Sequence, residues 1–185
     1  MPASSADARQ LAEELLANAL PQRWAHTQGV AHQARFLAPV LGPLASTVEQ
    51  AAWLHDIGYS PALVKTGFHP LDGARFLRDH TDIGSPVAVL VAHHSGASVE
   101  AANRGLLEEL SSEFPDDAFD DFALAGLTYS DMVVGPGGEP MSVDERLAEI
   151  LRRYPPDDVV HRSIEQSSEA IRGQCARVAA RLRRS

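Results

Sequence analysis

The chain predicts an all-α fold, and three observations predict it. Apolar residues recur at helical spacing along most of its length, no stretch alternates apolar and polar as a half-buried strand does, and Pro and Gly fall at the breaks. At 185 residues it has room for one domain with a full core, or for a core plus an appended helix.

In order, residues 4–20 read as an amphipathic helix with Leu11, Leu15 and Leu16 on one side. Pro21 opens a second helix through Trp24, Val30, Phe36 and Leu37, which Pro39, Gly42 and Pro43 close. Ser46 or Thr47 is expected to cap the helix that carries Ala51-Ala52-Trp53-Leu54 to His55, and Gly58 is expected to stop it. A loop over 60–68 precedes a helix over 70–80. Ser85 and Pro86 read as N-cap and first residue of the next helix, which carries Val87, Val89, Leu90 and Val91 to His93-His94. The polar segment 95–121 is expected to hold one short helix and an acidic loop. A buried helix over 122–134 follows, then the turn Gly135-Pro136-Gly137-Gly138, then two helices starting near 142 and 156. With no repeat and no linker, one domain over 1–185 is the economical reading: a helical bundle with its core at about 21–134 and appended C-terminal helices at about 142–183.

The formal net charge of −9 argues against a stable nucleic-acid complex, which needs many phosphate contacts. It leaves small phosphorylated substrates open, because a bound cation inverts the local field. Arg172, Arg177, Arg181, Arg183 and Arg184 load the last helix with charge, read here as a solvated face that complements the helix dipole. Cys175 is the only cysteine, so an intrachain disulfide and a thiolate metal cage are both excluded. Nothing near it in sequence would activate it as a nucleophile. No run has transmembrane length and no secretory signal opens the chain, so a cytoplasmic location is expected.

The chemistry concentrates in His26, His55, Asp56, His69, His93 or His94, and Asp131. His55-Asp56 ends an apolar helix, and Asp131 lies in another beside Leu127, Met132 and Val134. A buried, unpaired carboxylate is costly, and a divalent cation offsets that cost. A single histidine on an apolar helix is more often an ordinary core residue, but that reading must be repeated independently at each of these positions. Mixed imidazole and carboxylate donors suit Fe or Mn, with Co, Ni or Zn also accommodated. They exceed the needs of one ion, and two ions sharing Asp56 would use them all. His32, six residues from His26 and so turned away from it on a helix, is set aside, as are His80 and His161, which sit in polar stretches. Ser95 and Thr128 are placed to hydrogen-bond ligands or substrate, or to cap locally, and Gly96 to allow a bend.

From about residue 23 to 134 the chain resembles the HD-domain metal-dependent phosphohydrolase superfamily, whose order of His, His-Asp and Asp matches His26, His55-Asp56 and Asp131. The resemblance implies an all-α fold and makes these four the ligands of a first metal. Two-metal members add histidines, matched by His69 in His69-Pro70-Leu71-Asp72-Gly73-Ala74 and by His93 in His93-His94-Ser95-Gly96. His93 is the preferred ligand, with His94 a further ligand or a substrate contact. Ser95-Gly96-Ala97-Ser98 stands where the cyclic-dinucleotide phosphodiesterases carry Gly-Tyr-Pro, which argues against a cyclic-di-GMP substrate. Many members have Lys after His-Asp-Ile-Gly, where this chain has Tyr59; Lys65 is expected to supply that charge, and Arg23 to reach a substrate phosphate. Asp72 is expected to hold the far nitrogen of His69, or to compensate its helix dipole.

The pattern is also similar to the YqeK-like diadenosine-tetraphosphate hydrolases. What the resemblance implies is cleavage of a phosphoester or phosphoanhydride in a small, nucleotide-like substrate by a hydroxide held between two ions that Asp56 bridges. The alternative on the same scaffold is a mixed-valence diiron oxygenase, and a third class is a binding module around one structural ion. Apolar terminal helices leave a homodimer open.

Overall fold

The computed structural model describes residues 4–184, and among them every regular element is helical; an isolated antiparallel bridge joins Val134 to Pro140. The helices are α1 (Ser5–Leu16), α2 (Pro21–Phe36), α3 (Ala38–Leu41), α4 (Ala45–Leu54), α5 (His69–His80), α6 (Ser85–His93), α7 (Ala97–Arg104), α8 (Leu107–Glu113), α9 (Asp121–Met132), α10 (Val143–Arg153) and α11 (Val159–Leu182). The all-α expectation therefore holds.

Local chemistry sets several boundaries. Ser4 and Asp7 form a capping box on α1, as Ser142 and Glu145 do on α10. Asp120 caps α9 by accepting from the amides of Phe122 and Ala123, and Asp158 caps α11. Three boundaries differ from expectation. The first helix ends at Leu16, four residues early, because Pro21 starts a helix with a new direction. Neither Ser46 nor Thr47 caps α4; a 3-10 turn over Gly42–Leu44 runs straight into it at Ala45. Ser85 lies inside α6, whose N-cap is Gly84.

The segment 95–121 carries two short helices rather than one. α8 is held by tertiary contacts: Leu110 and Phe114 are buried, and Glu113 pairs with both Arg75 and Arg78 of α5.

α4 is the central element, packing on α1, α2, α6 and α9. Its Val48, Ala51, Ala52, Trp53 and Leu54 are buried in the main core, so His55 and Asp56 emerge at the middle of the bundle. A second apolar cluster (Met132, Leu147, Ile150, Ile164, Ile171, Cys175) lays α10 and α11 against the end of α9. Cys175 is buried there, and burial pushes its thiol up to about 12. No described helix is long and apolar enough to cross a membrane.

One close approach fixes the site. A Cβ on Gly58 would sit 2.0 Å from the His69 carbonyl oxygen and 2.8 Å from the Gly73 nitrogen, so the turn after Asp56 presses backbone to backbone on the start of α5.

Candidate metal centre

Three helix ends and two helix interiors deliver the donors. His26 comes from the middle of α2, with its Nδ1–H donating to the Gly135 carbonyl at 3.0 Å. His55 is the C-cap of α4 and its Nδ1–H donates to the Ala52 carbonyl at 2.8 Å. His94 is the C-cap of α6 and donates likewise to the Val91 carbonyl at 2.7 Å. A carbonyl oxygen only accepts, so in all three rings the proton belongs on Nδ1 and the Nε2 lone pair faces inward.

Asp56 lies at the centre of what they face. Its Oδ2 is 3.4 Å from His55 Nε2 and 3.9 Å from His26 Nε2, and its Oδ1 is 3.4 Å from His69 Nε2. His69, first residue of α5, brings that nitrogen to 3.3 Å from His94 Nε2. Two triads result, His26–His55–Asp56 and Asp56–His69–His94, each with its donor atoms mutually within 4.8 Å, and they share Asp56. Asp131 of α9 joins the first through Oδ1, 3.0 Å from His26 Nε2, while its Oδ2 accepts from Ser95 Oγ at 2.5 Å. Ser95 can do this because the chain reverses there with φ at 51°, and Gly96 completes the bend at φ +80°. The Ser95 amide in turn donates to Thr128 Oγ1.

The set calls for a cation. His55 Nε2 is buried with no hydrogen-bond partner, its 3.4 Å approach to Asp56 being too poorly aligned to serve. His26 Nε2 lies 3.0 Å from Asp131 Oδ1, close enough for the two to serve one ion. Burial alone would protonate the two carboxyls. For Asp56 it is outweighed by the neighbouring Arg23, His55 and His69, and for Asp131 by its contact with His26 and by nearby positive charge. Both therefore sit well below the usual carboxylate range. Burial opposes charge on His55 too, but Asp56 and Asp131 raise its pKa, whereas burial keeps His69 and His94 below the ordinary imidazole value. The centre draws positive charge to itself, and a divalent ion with N and O ligands answers that pull.

Some expectations need correction. His93 is turned out of the cluster: its Nε2–H donates to the Phe114 carbonyl at 2.6 Å and its Nδ1 meets Ser98 Oγ at 3.2 Å. His94 takes the place expected of it. Lys65 is exposed, on a separate groove with Arg75 and Asp79, and supplies no charge to the cavity. Arg23 supplies it instead, with Nη1 2.6 Å from Asp56 Oδ2 and the guanidinium 3.7 Å over the Tyr59 ring, whose other contact is a stack on His69 at 3.9 Å. Asp72 does not touch His69; its carboxylate accepts from the amides of Lys65, Thr66 and Gly67 and so folds the preceding loop. Sequence reasoning missed the wall opposite, where Glu100, Arg146 and Tyr154 line the cavity of about 80 Å³ that opens on these donors. An Arg or Glu on an amphipathic helix gives no signal that distinguishes a cavity wall from a solvated face.

A family model described as HD domain matches residues 23–157, extending past the turn at 135–138 to include α10. Neither the curated proteins nor the solved structures yield a significant match.

Proposed function

The chain belongs to the HD-domain family, a superfamily of metal-dependent hydrolases, and we propose that it cleaves a phosphoester or phosphoanhydride of a small, nucleotide-like substrate. The observation that carries this reading is the buried, partnerless His55 Nε2 among inward-facing donors that share one carboxylate. His26, His55, Asp56 and Asp131 would hold one divalent ion, and Asp56, His69 and His94 a second. Ions in such a place supply Lewis-acid polarisation of a phosphoryl oxygen and make water a nucleophile at neutral pH.

The chain's own residues divide the remaining work. Arg23 stands in the cavity wall as a permanent cation, and its planar fork suits two oxygens of a phosphoryl group. Tyr59 holds that plane flat from one side. Ser95 keeps its hydroxyl proton on Asp131 Oδ2, which fixes the carboxylate with Oδ1 toward His26. Glu100 faces the same cavity, and burial raises its pKa although Arg104 pulls against it. It is the carboxyl placed to give a proton to a leaving oxygen.

The test is phosphate release by metal-stripped protein resupplied singly with Mn, Fe(II), Co, Ni or Zn. The panel holds mononucleotides, dinucleoside polyphosphates, cyclic dinucleotides and sugar phosphates. Metal-dependent release from at least one class is expected. No release with any metal sinks the proposal, and oxygen consumption by the Fe(II) form in its place would favour the diiron alternative.

A further inference from the structure

We propose that the substrate carries a second phosphate, bound in a groove between the start of α2 and α10 beside the metal centre. This rests on the phosphohydrolase reading above and narrows its substrate class. The groove, of about 300 Å³, runs along Ala19, Leu20 and Gln22 and past Pro136. Arg23, His26, Arg146 and Arg153 line both this groove and the cavity of the metal centre, so one ligand can occupy the two together.

Independent features make the groove a place for an anion. α2 starts with no side-chain cap from Leu20, and Pro21 contributes no N–H, so the first-turn amides of Gln22 and Arg23 are left to a ligand or water. Arg146 is 5% exposed, yet it uses Nη1 on Glu149 while its buried Nε–H has no partner. A guanidinium offers five donors, and burying one with so few engaged is unfavourable unless an anion completes the set. Arg153 pairs with the same Glu149 through Nε and Nη2. Three guanidiniums (Arg23, Arg146, Arg153) thus line the groove with no carboxylate among its lining residues, in a chain whose net charge is −9. The groove adjoins the cavity of the metal centre through these shared residues, so a phosphate next to a phosphoryl group held there falls within its reach.

The experiment compares equilibrium binding of two probes that resist hydrolysis, adenosine α,β-methylene diphosphate and the matching adenosine monophosphonate, to the metal-loaded full chain. Charge-assisted contacts of this kind favour the diphosphate probe by about tenfold or more. Arg153→Ala, at the more exposed of the two α10 arginines that line the groove, is expected to cut that ratio to about threefold or less, and Arg153→Lys to restore part of it. A wild-type ratio near one, or a ratio that Arg153→Ala leaves unchanged, overturns the subsite. Because neither probe turns over, the outcome is separable from the phosphatase panel. A surviving ratio with no phosphatase activity would remove the reaction and keep the groove, and the reverse result would remove the groove alone.

Discussion

Asp56→Asn probes the centre most directly, because Asp56 is the only residue common to both triads. Asn keeps the shape of the side chain, so no cavity opens. It removes the charge that both groups of donors share and that holds Arg23 at 2.6 Å. Removing one partner of a fully buried ion pair costs about 3–5 kcal/mol. The Arg23 side chain keeps 22% of its exposure and can turn to water, which brings the direct cost nearer to about 2 kcal/mol. The larger signature lies in linkage. An ion present at about 100 times its Kd adds about 2.7 kcal/mol to the folded state. For a chain of this size that is about 5–11 °C in Tm. Chelation should therefore lower the wild-type Tm by about that much, and that of Asp56→Asn by about 1 °C at most, since the variant has lost the donor each ion needs. Calorimetry with and without chelator, beside elemental analysis of bound metal, reads both quantities. An Asp56→Asn variant that retains wild-type metal content, or a wild type whose Tm ignores chelation, refutes the reasoning.

Three further outcomes follow from the same geometry. His94→Ala should lower bound metal, whereas His93→Ala should leave metal content unchanged and cost about 1–3 kcal/mol by depriving the buried Phe114 carbonyl of its donor; metal analysis and denaturant unfolding together decide between them. Gly58→Ala drives a Cβ against the His69 carbonyl and should cost about 3 kcal/mol or more, with reduced metal content as His69 is displaced, read by unfolding and elemental analysis; a wild-type Tm would contradict the backbone contact. Cys175, buried and with its thiol pushed up to about 12, should alkylate far more slowly in folded than in unfolded protein across about pH 7 to pH 9; a folded rate that matches the unfolded one would show the site is open.

What the sequence disclosed was whatever is expensive to hide. Asp131 in an apolar helix and His55-Asp56 at the end of another could be singled out because burying them alone is unfavourable, and the structure brings them together with His26 and His69. Helix starts marked by Pro21 or by the Ser142 cap were legible for local reasons, whereas the last helix, expected from near Pro156, starts at Val159 behind an Asp158 cap. α8 was not, because its support is the Glu113 ion pairs with Arg75 and Arg78 across 35 or more residues. Lys65 failed as a substitute for a motif lysine for a related reason. The charge arrives from Arg23 on another helix, over a Tyr59 ring whose stacking no spacing rule reveals.

The choice between His93 and His94 shows how the fold makes the site. Neighbours on a helix point about 100° apart, so only one of the two can face the centre, and residue type does not say which. The structure resolves it with a device used twice. His55 closes α4 and His94 closes α6, each as a C-cap whose Nδ1–H donates to the carbonyl three residues back. That bond satisfies one of the carbonyls a helix end leaves unpaired and at the same stroke aims Nε2 away from the helix. His93, still inside α6, instead donates across to the Phe114 carbonyl. Both helices also direct their negative ends at the centre, which favours a cation there, while α5 opposes them in part by starting at His69. Helix ends that would otherwise need water or caps thus become donors and field for one site. On that account His94→Asn, which keeps a donor for Val91 but loses the inward nitrogen, should fold like wild type and bind less metal.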